Sequence, residues 1–205
     1  MNDLDRLRYD ALASQLGRMR AMQYAYHRKF FALMGLSLVA IAAAFLHGGR
    51  AALLLLAFGL VTAGVTASFF LHFCDFARTH ARALEQRINA MLGDTLLNAA
   101  ELEADFFYPH ETSRVSGYTP SRPDTFFSFF TLHFTVVWVA AALLALWRLG
   151  DRMSGGAWLL LLVVYGAWSA VNVGFLLRWF RGDAEKRIAA TLRERLGLGG
   201  GTPVA

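Results

Sequence analysis

Four long runs of apolar residues, free of Asp, Glu, Lys and Arg, dominate the pattern of this chain. They cover residues 30–49, 51–74, 125–147 and 153–177. Each run reaches about the 20 residues that a helix needs to cross a hydrocarbon core of about 30 Å. Buried helices of soluble proteins rarely stay uncharged over that length. The pattern therefore predicts an all-α integral membrane protein with four transmembrane helices, arranged as two hairpins.

The polar segments between these runs divide the chain into five parts. We expect a transmembrane hairpin over 30–74 and another over 125–179. A cytoplasmic amphipathic helix is expected over 1–29, a helical extension and loop over 75–124, and a helix with a flexible tail over 180–205. No apolar run precedes residue 30, so a cleaved signal peptide is not expected.

Basic residues are distributed unevenly between the two ends of the predicted spans. The N-terminal arm, the central loop and the C-terminal arm together hold 17 of the 20 Lys and Arg residues. Because positively charged loops stay in the cytoplasm, both termini and the central loop are expected there, in a multi-pass protein of a bacterial inner membrane. The net charge of +5 then reflects topology and attraction to anionic lipids rather than nucleic-acid binding.

Composition narrows the class of protein further. Apolar residues make up 56% of the chain, which excludes intrinsic disorder. Cys74 is the only cysteine, so neither a disulfide scaffold nor a cluster of thiolates around zinc can form within one chain.

An apolar stripe continues beyond the second span into the predicted cytoplasmic extension. No strong helix breaker interrupts residues 51–107, so one helix, straight or kinked near Gly93, is expected to carry the stripe. Apolar side chains so far from lipid need a cover, either the two terminal arms or a second copy. The alternative for each arm is an amphipathic helix on the membrane surface. We expect a homo-oligomer whose cytoplasmic seam is formed by Leu84, Ile88, Met91, Leu102 and Phe106.

Residues 83–92 resemble residues 183–192 at an offset of 100 positions. Each segment follows the second span of a predicted hairpin. Two hairpins of the same orientation would be related by an axis along the membrane normal. Chance similarity between two helices rich in Ala, Leu, Arg and Glu is the alternative.

Small and polar residues recur within the spans. They lie at helical spacing on span two, and further ones follow on spans three and four. Such groups either hold helices together or line a water-filled path. The stripe consists of Gly64, Ser68, His72, Asp75, Thr131, Thr135 and Asn172.

Two histidines near the cytoplasmic ends of their spans, His72 and His133, raise a cofactor hypothesis. A facing pair could ligate haem or a metal, although a histidine bonded between helices explains either residue equally simply. We expect no cofactor. No nucleophile elbow, P-loop or HExxH motif is present, so we do not expect an enzyme.

In helix count and size, the chain resembles small bacterial four-helix membrane proteins with cytoplasmic helical extensions. Some of these are oligomeric pore-forming effectors of defence systems. The resemblance implies an oligomeric channel or pore-type effector controlled through its cytoplasmic helices. Two alternatives remain open. One is a non-catalytic scaffold or accessory subunit that docks a cytoplasmic or membrane partner, and the other is a haem- or metal-bearing redox subunit.

Overall fold

The computed structural model describes residues 3–106, 126–181 and 184–197. Within these residues every regular element is an α-helix. The helices are α1 (Asp3–His47), α2 (Arg50–Leu92), α3 (Ala99–Phe106), α4 (Phe126–Gly150), α5 (Gly155–Arg181) and α6 (Ala184–Arg195). The loop expected over 107–124 and most of the expected C-terminal tail lie outside the described residues.

Four of the helices, α1, α2, α4 and α5, are long and apolar enough to cross a membrane. The described residues thus contain the four candidate spans predicted from the uncharged runs, as in a multi-pass membrane protein. The first two helices are much longer than a bilayer is thick. At 1.5 Å per residue, the 45 residues of α1 extend over ~67 Å, so about half of the helix projects beyond the hydrocarbon core.

Helices α1 and α2 form an antiparallel hairpin closed by Gly48 and Gly49. Gly48 donates its backbone N–H to the carbonyl oxygen of Ala44 at 3.1 Å. A Cβ at Gly48 would collide with that same oxygen and lie 2.8 Å from the Cβ of Ala52. Only glycine therefore allows the two helices to follow each other so closely.

The facing surfaces of α1 and α2 carry a seven-residue repeat. Buried or half-buried positions alternate at spacings of three and four along both helices, the pattern of a coiled coil. On α1 these positions are Tyr9, Ala13, Leu16, Arg20, Gln23, His27, Phe30, Met34, Ser37, Ile41 and Ala44. On α2 they are Leu53, Ala57, Leu60, Gly64, Ala67, Leu71, Cys74, Arg78, Ala81, Glu85 and Ile88. We call these residues the hairpin seam.

The remaining long helices pack on this hairpin unequally. Helix α4 buries Trp138, Ala145 and Leu149 in a core shared with α1 and α2. Helix α5 lies at the periphery, and no side chain between Gly155 and Leu177 is fully buried. The bundle is therefore a tight unit of α1, α2 and α4 with α5 loosely attached.

The hairpin continues past the apolar spans into a polar part of the molecule. We call residues 3–29 of α1, residues 75–92 of α2, α3 and α6 the juxtamembrane layer. Of the two possibilities for residues 51–107, a straight helix and one interrupted near Gly93, the structure shows an interruption at Gly93. Helix α2 ends at Leu92 because Gly93 adopts a left-handed conformation, with φ 69°, and donates its N–H to the carbonyl of Asn89. The chain turns at this point, and α3 forms a separate helix.

Candidate functional site

A cavity between α1, α2, α4 and α5 contains most of the predicted polar stripe. Its volume is about 260 Å³, and its walls include five of the seven stripe residues. His72 and Asp75 are not part of its walls. The structure thus divides the stripe into a cavity group within the apolar bundle and two residues nearer the juxtamembrane layer. The cavity group consists of Gly64, Ser68, Thr131, Thr135 and Asn172.

Three polar side chains of the cavity group bond to their own helices. Ser68 Oγ donates to the carbonyl of Gly64 at 2.9 Å, and Thr135 Oγ1 donates to that of Thr131 at 2.8 Å. Asn172 Nδ2 donates to the carbonyl of Trp168, also at 2.8 Å. In each case the acceptor lies one turn earlier, an arrangement that accommodates polar side chains in an apolar helix without water.

The two other stripe residues differ in their surroundings. Asp75 accepts from Nη2 of Arg78 at 3.3 Å, and Arg78 is buried in the hairpin seam. Burial lowers the pKa of the nearby His27, while the carboxylate of Asp75 partly opposes that shift. His72 is half-buried. Asp75 therefore belongs to a charged group at the base of the juxtamembrane layer.

His133, the second histidine of the haem or metal hypothesis, is exposed. Its ring stacks near that of Phe129, with centroids 6.3 Å apart. In the part of the chain that the structure describes, no three His, Cys, Asp or Glu side chains converge as a metal site requires. The two histidines thus receive no third ligand from the described residues.

Two of the five residues of the predicted oligomer seam are buried by the chain itself. Leu84 and Ile88 have exposed fractions of 0% and 1%, so neither can reach a second copy in this conformation. The physical reason is that α1, α3 and α6 all pack against α2. Met91 is half-buried and Leu102 is exposed. The side chain of Phe106 lies outside the described part of the chain.

Sequence reasoning missed the most connected polar group, which is centred on Arg20. Arg20 Nη2 donates to Glu85 Oε1 at 2.7 Å. Its Nη1 lies 2.9 Å from both carboxylate oxygens of Glu103 and 3.1 Å from Gln23 Oε1. Gln23 Nε2 donates in turn to Glu103 Oε2 at 3.0 Å. One guanidinium thus joins α1, α2 and α3, and we call these four residues the Arg20 hub.

Two further contacts fasten α3 to α2. Glu85 Oε2 accepts the backbone N–H of Ala100 at 2.9 Å, satisfying a donor at the start of α3. The side-chain amide of Asn89 makes two hydrogen bonds with the backbone of Leu97. It donates to the Leu97 carbonyl at 2.7 Å and accepts from the Leu97 N–H at 2.9 Å. Hydrogen bonds and ion pairs therefore fasten α3 to α1 and α2.

The signal that could have revealed the hub is the spacing of its members. Arg20, Gln23 and Glu85 occupy hairpin-seam positions where a coiled coil normally carries apolar residues. A search for apolar periodicity passes over them. A buried charge is tolerated only when it is paired, so charged residues at seam spacing on two adjacent helices indicate an ion pair between those helices.

Fold and site together define a class: a multi-pass membrane protein whose first two helices form one coiled-coil hairpin reaching from the bilayer into a polar layer. No family model, no curated protein and no solved structure matches the chain.

Proposed function

We propose that this protein is an oligomeric membrane channel or pore-type effector, controlled through its juxtamembrane layer. The observation that carries the proposal is the outer surface of α5. No side chain between Gly155 and Leu177 is fully buried within the chain, so α5 is available to a neighbouring copy. Because α5 is only weakly held by its own bundle, packing against a second copy would stabilise it more than the other long helices.

The exposed surface of α5 has the residue types that membrane helices use for close pairing. Gly166, Ala170 and Gly174 follow one another at intervals of four and are all exposed. A Cβ at either glycine would meet no heavy atom within 4 Å. Small residues at this spacing let two helix backbones approach closely. This surface supports contact between the α5 helices of two copies.

The cavity group supports a pore between copies rather than through one chain. Ser68, Thr135 and Asn172 each donate a hydrogen bond to a carbonyl of their own helix, an arrangement that suits an apolar setting. A water-filled path would have to be lined by surfaces that meet on assembly, as in channels built from rings of subunits.

The Arg20 hub supports control from the juxtamembrane layer. It ties α3 to both helices of the hairpin, and the hairpin seam continues without interruption into the apolar spans. A ligand or protein that displaces α3 would change the ion pairs between α1 and α2. We place this layer in the cytoplasm, because 17 of the 20 basic residues fall in the N-terminal arm, the central loop and the C-terminal arm.

Ion flux from liposomes tests the proposal directly. We expect purified protein to be an oligomer by mass measurement in detergent and to release a trapped fluorescent ion indicator from liposomes. Ala170→Phe places a bulky ring on the α5 surface and should reduce both assembly and flux by about 10-fold, since close backbone approach is lost. Val164→Phe changes another exposed position of α5 and is the matched control. A monomeric wild type would contradict the proposal.

A scaffold that docks a partner is the second candidate, favoured by exposed leucines at the far end of the juxtamembrane layer. Leu4, Leu7, Leu92 and Leu96 are all exposed there. Apolar side chains grouped outside the membrane commonly mark a protein contact. Under this function, Leu7→Asp and Leu96→Asp would abolish partner binding, and the purified protein would produce no ion flux.

A further inference from the structure

The cavity between α1, α2, α4 and α5 is large enough for a small molecule and opens at the surface of the bundle. A cavity of 150 Å³ in a protein core holds benzene, so about 260 Å³ accommodates about ten non-hydrogen atoms. Its walls are mostly apolar and include Phe134 and Tyr165. Thr135 and Val139 belong to the walls and are also exposed, so the cavity opens at the surface of the bundle. Within a membrane, that opening faces lipid.

The polar atoms in the walls offer both acceptors and donors. The hydroxyl hydrogen of Thr135 is engaged by the Thr131 carbonyl, and one amide hydrogen of Asn172 is engaged by the Trp168 carbonyl. The lone pairs of Thr135 Oγ1 and Asn172 Oδ1 remain, together with the second amide hydrogen of Asn172. Trp138 and Tyr165, also in the walls, carry an N–H and an O–H donor, and the buried Nε1 of Trp138 has no hydrogen-bond partner among the described residues. A hydroxyl group can use both kinds of site, because it can donate to the oxygens and accept from the donors, whereas an ester or quinone carbonyl can only accept.

We propose that this cavity binds a bilayer-soluble alcohol or phenol of about ten non-hydrogen atoms. Its apolar body lies against the ring-lined walls, and its hydroxyl donates to Thr135 or Asn172. The ligand enters laterally from the membrane. The site lies within a single chain and does not depend on the proposed pore, so failure of either proposal leaves the other standing.

Two fluorinated probes that differ by one hydroxyl test the site. The full chain is reconstituted in lipid nanodiscs, and 4-(trifluoromethyl)phenol is compared with trifluoromethylbenzene by fluorine NMR. Binding is corrected for partitioning of each probe into empty nanodiscs. A net hydrogen bond is worth about 1 kcal/mol, so we expect the phenol to bind about 5-fold more tightly than the hydrocarbon.

Near-isosteric variants then separate the hydroxyl contact from the apolar cavity. Thr135→Val and Asn172→Leu remove the two acceptors, and we expect one or both to bring the affinity ratio of the probes to about one. Thr62→Val is the matched control, because Thr62 also donates to a carbonyl of its own helix but does not line the cavity. Val139→Trp fills the opening and should abolish binding of both probes, whereas Val136→Trp alters an exposed residue outside the cavity walls.

Several results would overturn the proposal. They are equal corrected affinities for the two probes in the wild type, an affinity ratio unchanged in both polar variants, and partitioning no greater than in empty nanodiscs. Binding of both probes that survives Val139→Trp would also overturn it. Thermal unfolding of each variant in the same nanodiscs establishes that the bundle is intact, since a folded variant with an unchanged ratio counts against the site.

Discussion

Arg20 is the side chain through which three helices meet, and its removal should release α3. Arg20→Gln leaves the carboxylates of Glu85 and Glu103 close together without their cation. Breaking a buried ion pair costs about 3–5 kcal/mol, and the lower value applies here because Glu103 keeps some contact with solvent. We expect amide hydrogens of α3 to exchange about 100-fold faster in hydrogen-exchange mass spectrometry.

Arg18→Gln supplies the comparison for that measurement. Arg18 is exposed on the same helix, two residues away, and its replacement should leave exchange in α3 unchanged. Equal exchange in wild type and Arg20→Gln would mean that apolar packing, and not the Arg20 hub, holds α3.

His80 makes the outer part of the hairpin sensitive to acid. Burial lowers the pKa of His80, and its Nε2 lies 3.1 Å from the side-chain amide nitrogen of Gln15, a bond that the neutral ring accepts. The unfolded-state pKa is about 6.5. Because the folded-state value is lower, the stabilisation is complete above that pH and is lost as the pH falls through the folded-state pKa.

Hydrogen exchange around Gln15, corrected for intrinsic rates, should therefore accelerate as the pH falls from about 6.5 to 5. His80→Gln keeps an acceptor for Gln15 but does not titrate, so it should reduce this acceleration. Part of the effect should persist, since burial also lowers the pKa of His27. Identical pH profiles for wild type and His80→Gln would exclude His80 as the source.

At the scale of elements, the end of α2 depends on one backbone conformation. Gly93 has φ 69°, in the left-handed region that costs other residues about 1–2 kcal/mol. Gly93→Ala should lower the free energy of unfolding by about 1 kcal/mol and shift the thermal midpoint downwards. Gly59→Ala is the opposite case, because Gly59 is helical with open space around its Cβ position, so that variant should be neutral or more stable.

The four apolar spans could be predicted from the sequence, whereas the arrangement of α3 could not. An uncharged run of about 20 residues has few structural alternatives, so a transmembrane helix can be predicted from it without knowledge of the tertiary structure. Gly93 could be named from the sequence as the position of a kink, but the sequence does not show where the chain runs after it. The return of α3 depends on Glu85 meeting Ala100, a pairing that only the folded chain shows.

Among the candidate site residues, too, some placements could be predicted from the sequence and others could not. Five of the seven stripe residues line one cavity. Leu84 and Ile88 were predicted to form an intermolecular seam because they are apolar and outside the membrane. The structure buries both residues within the chain, which matches the alternative of a cover supplied by the chain itself.

At the scale of the whole molecule, the predicted orientation places Leu96 and Ser154 on opposite sides of the membrane. Both residues are exposed and lie between helices. In intact spheroplasts, a membrane-impermeant maleimide should label Ser154→Cys, and it should label Leu96→Cys only after permeabilisation. The wild type is the control, because its single cysteine, Cys74, is buried. The reverse labelling pattern would contradict the assignment of both termini to the cytoplasm.

Because the hairpin seam repeats every seven residues, the distance between the juxtamembrane layer and the bilayer can change only in fixed steps. Removing seven residues from each arm takes out two helical turns, so the remaining seam residues still face one another, and the layer moves ~10 Å towards the bilayer. Removing five from each arm instead rotates the outer part of each helix by about 140° relative to the rest, which turns Arg20 and Glu85 away from their partners. Length variants that keep the fold should therefore come in steps of whole heptads, in nature as in the laboratory.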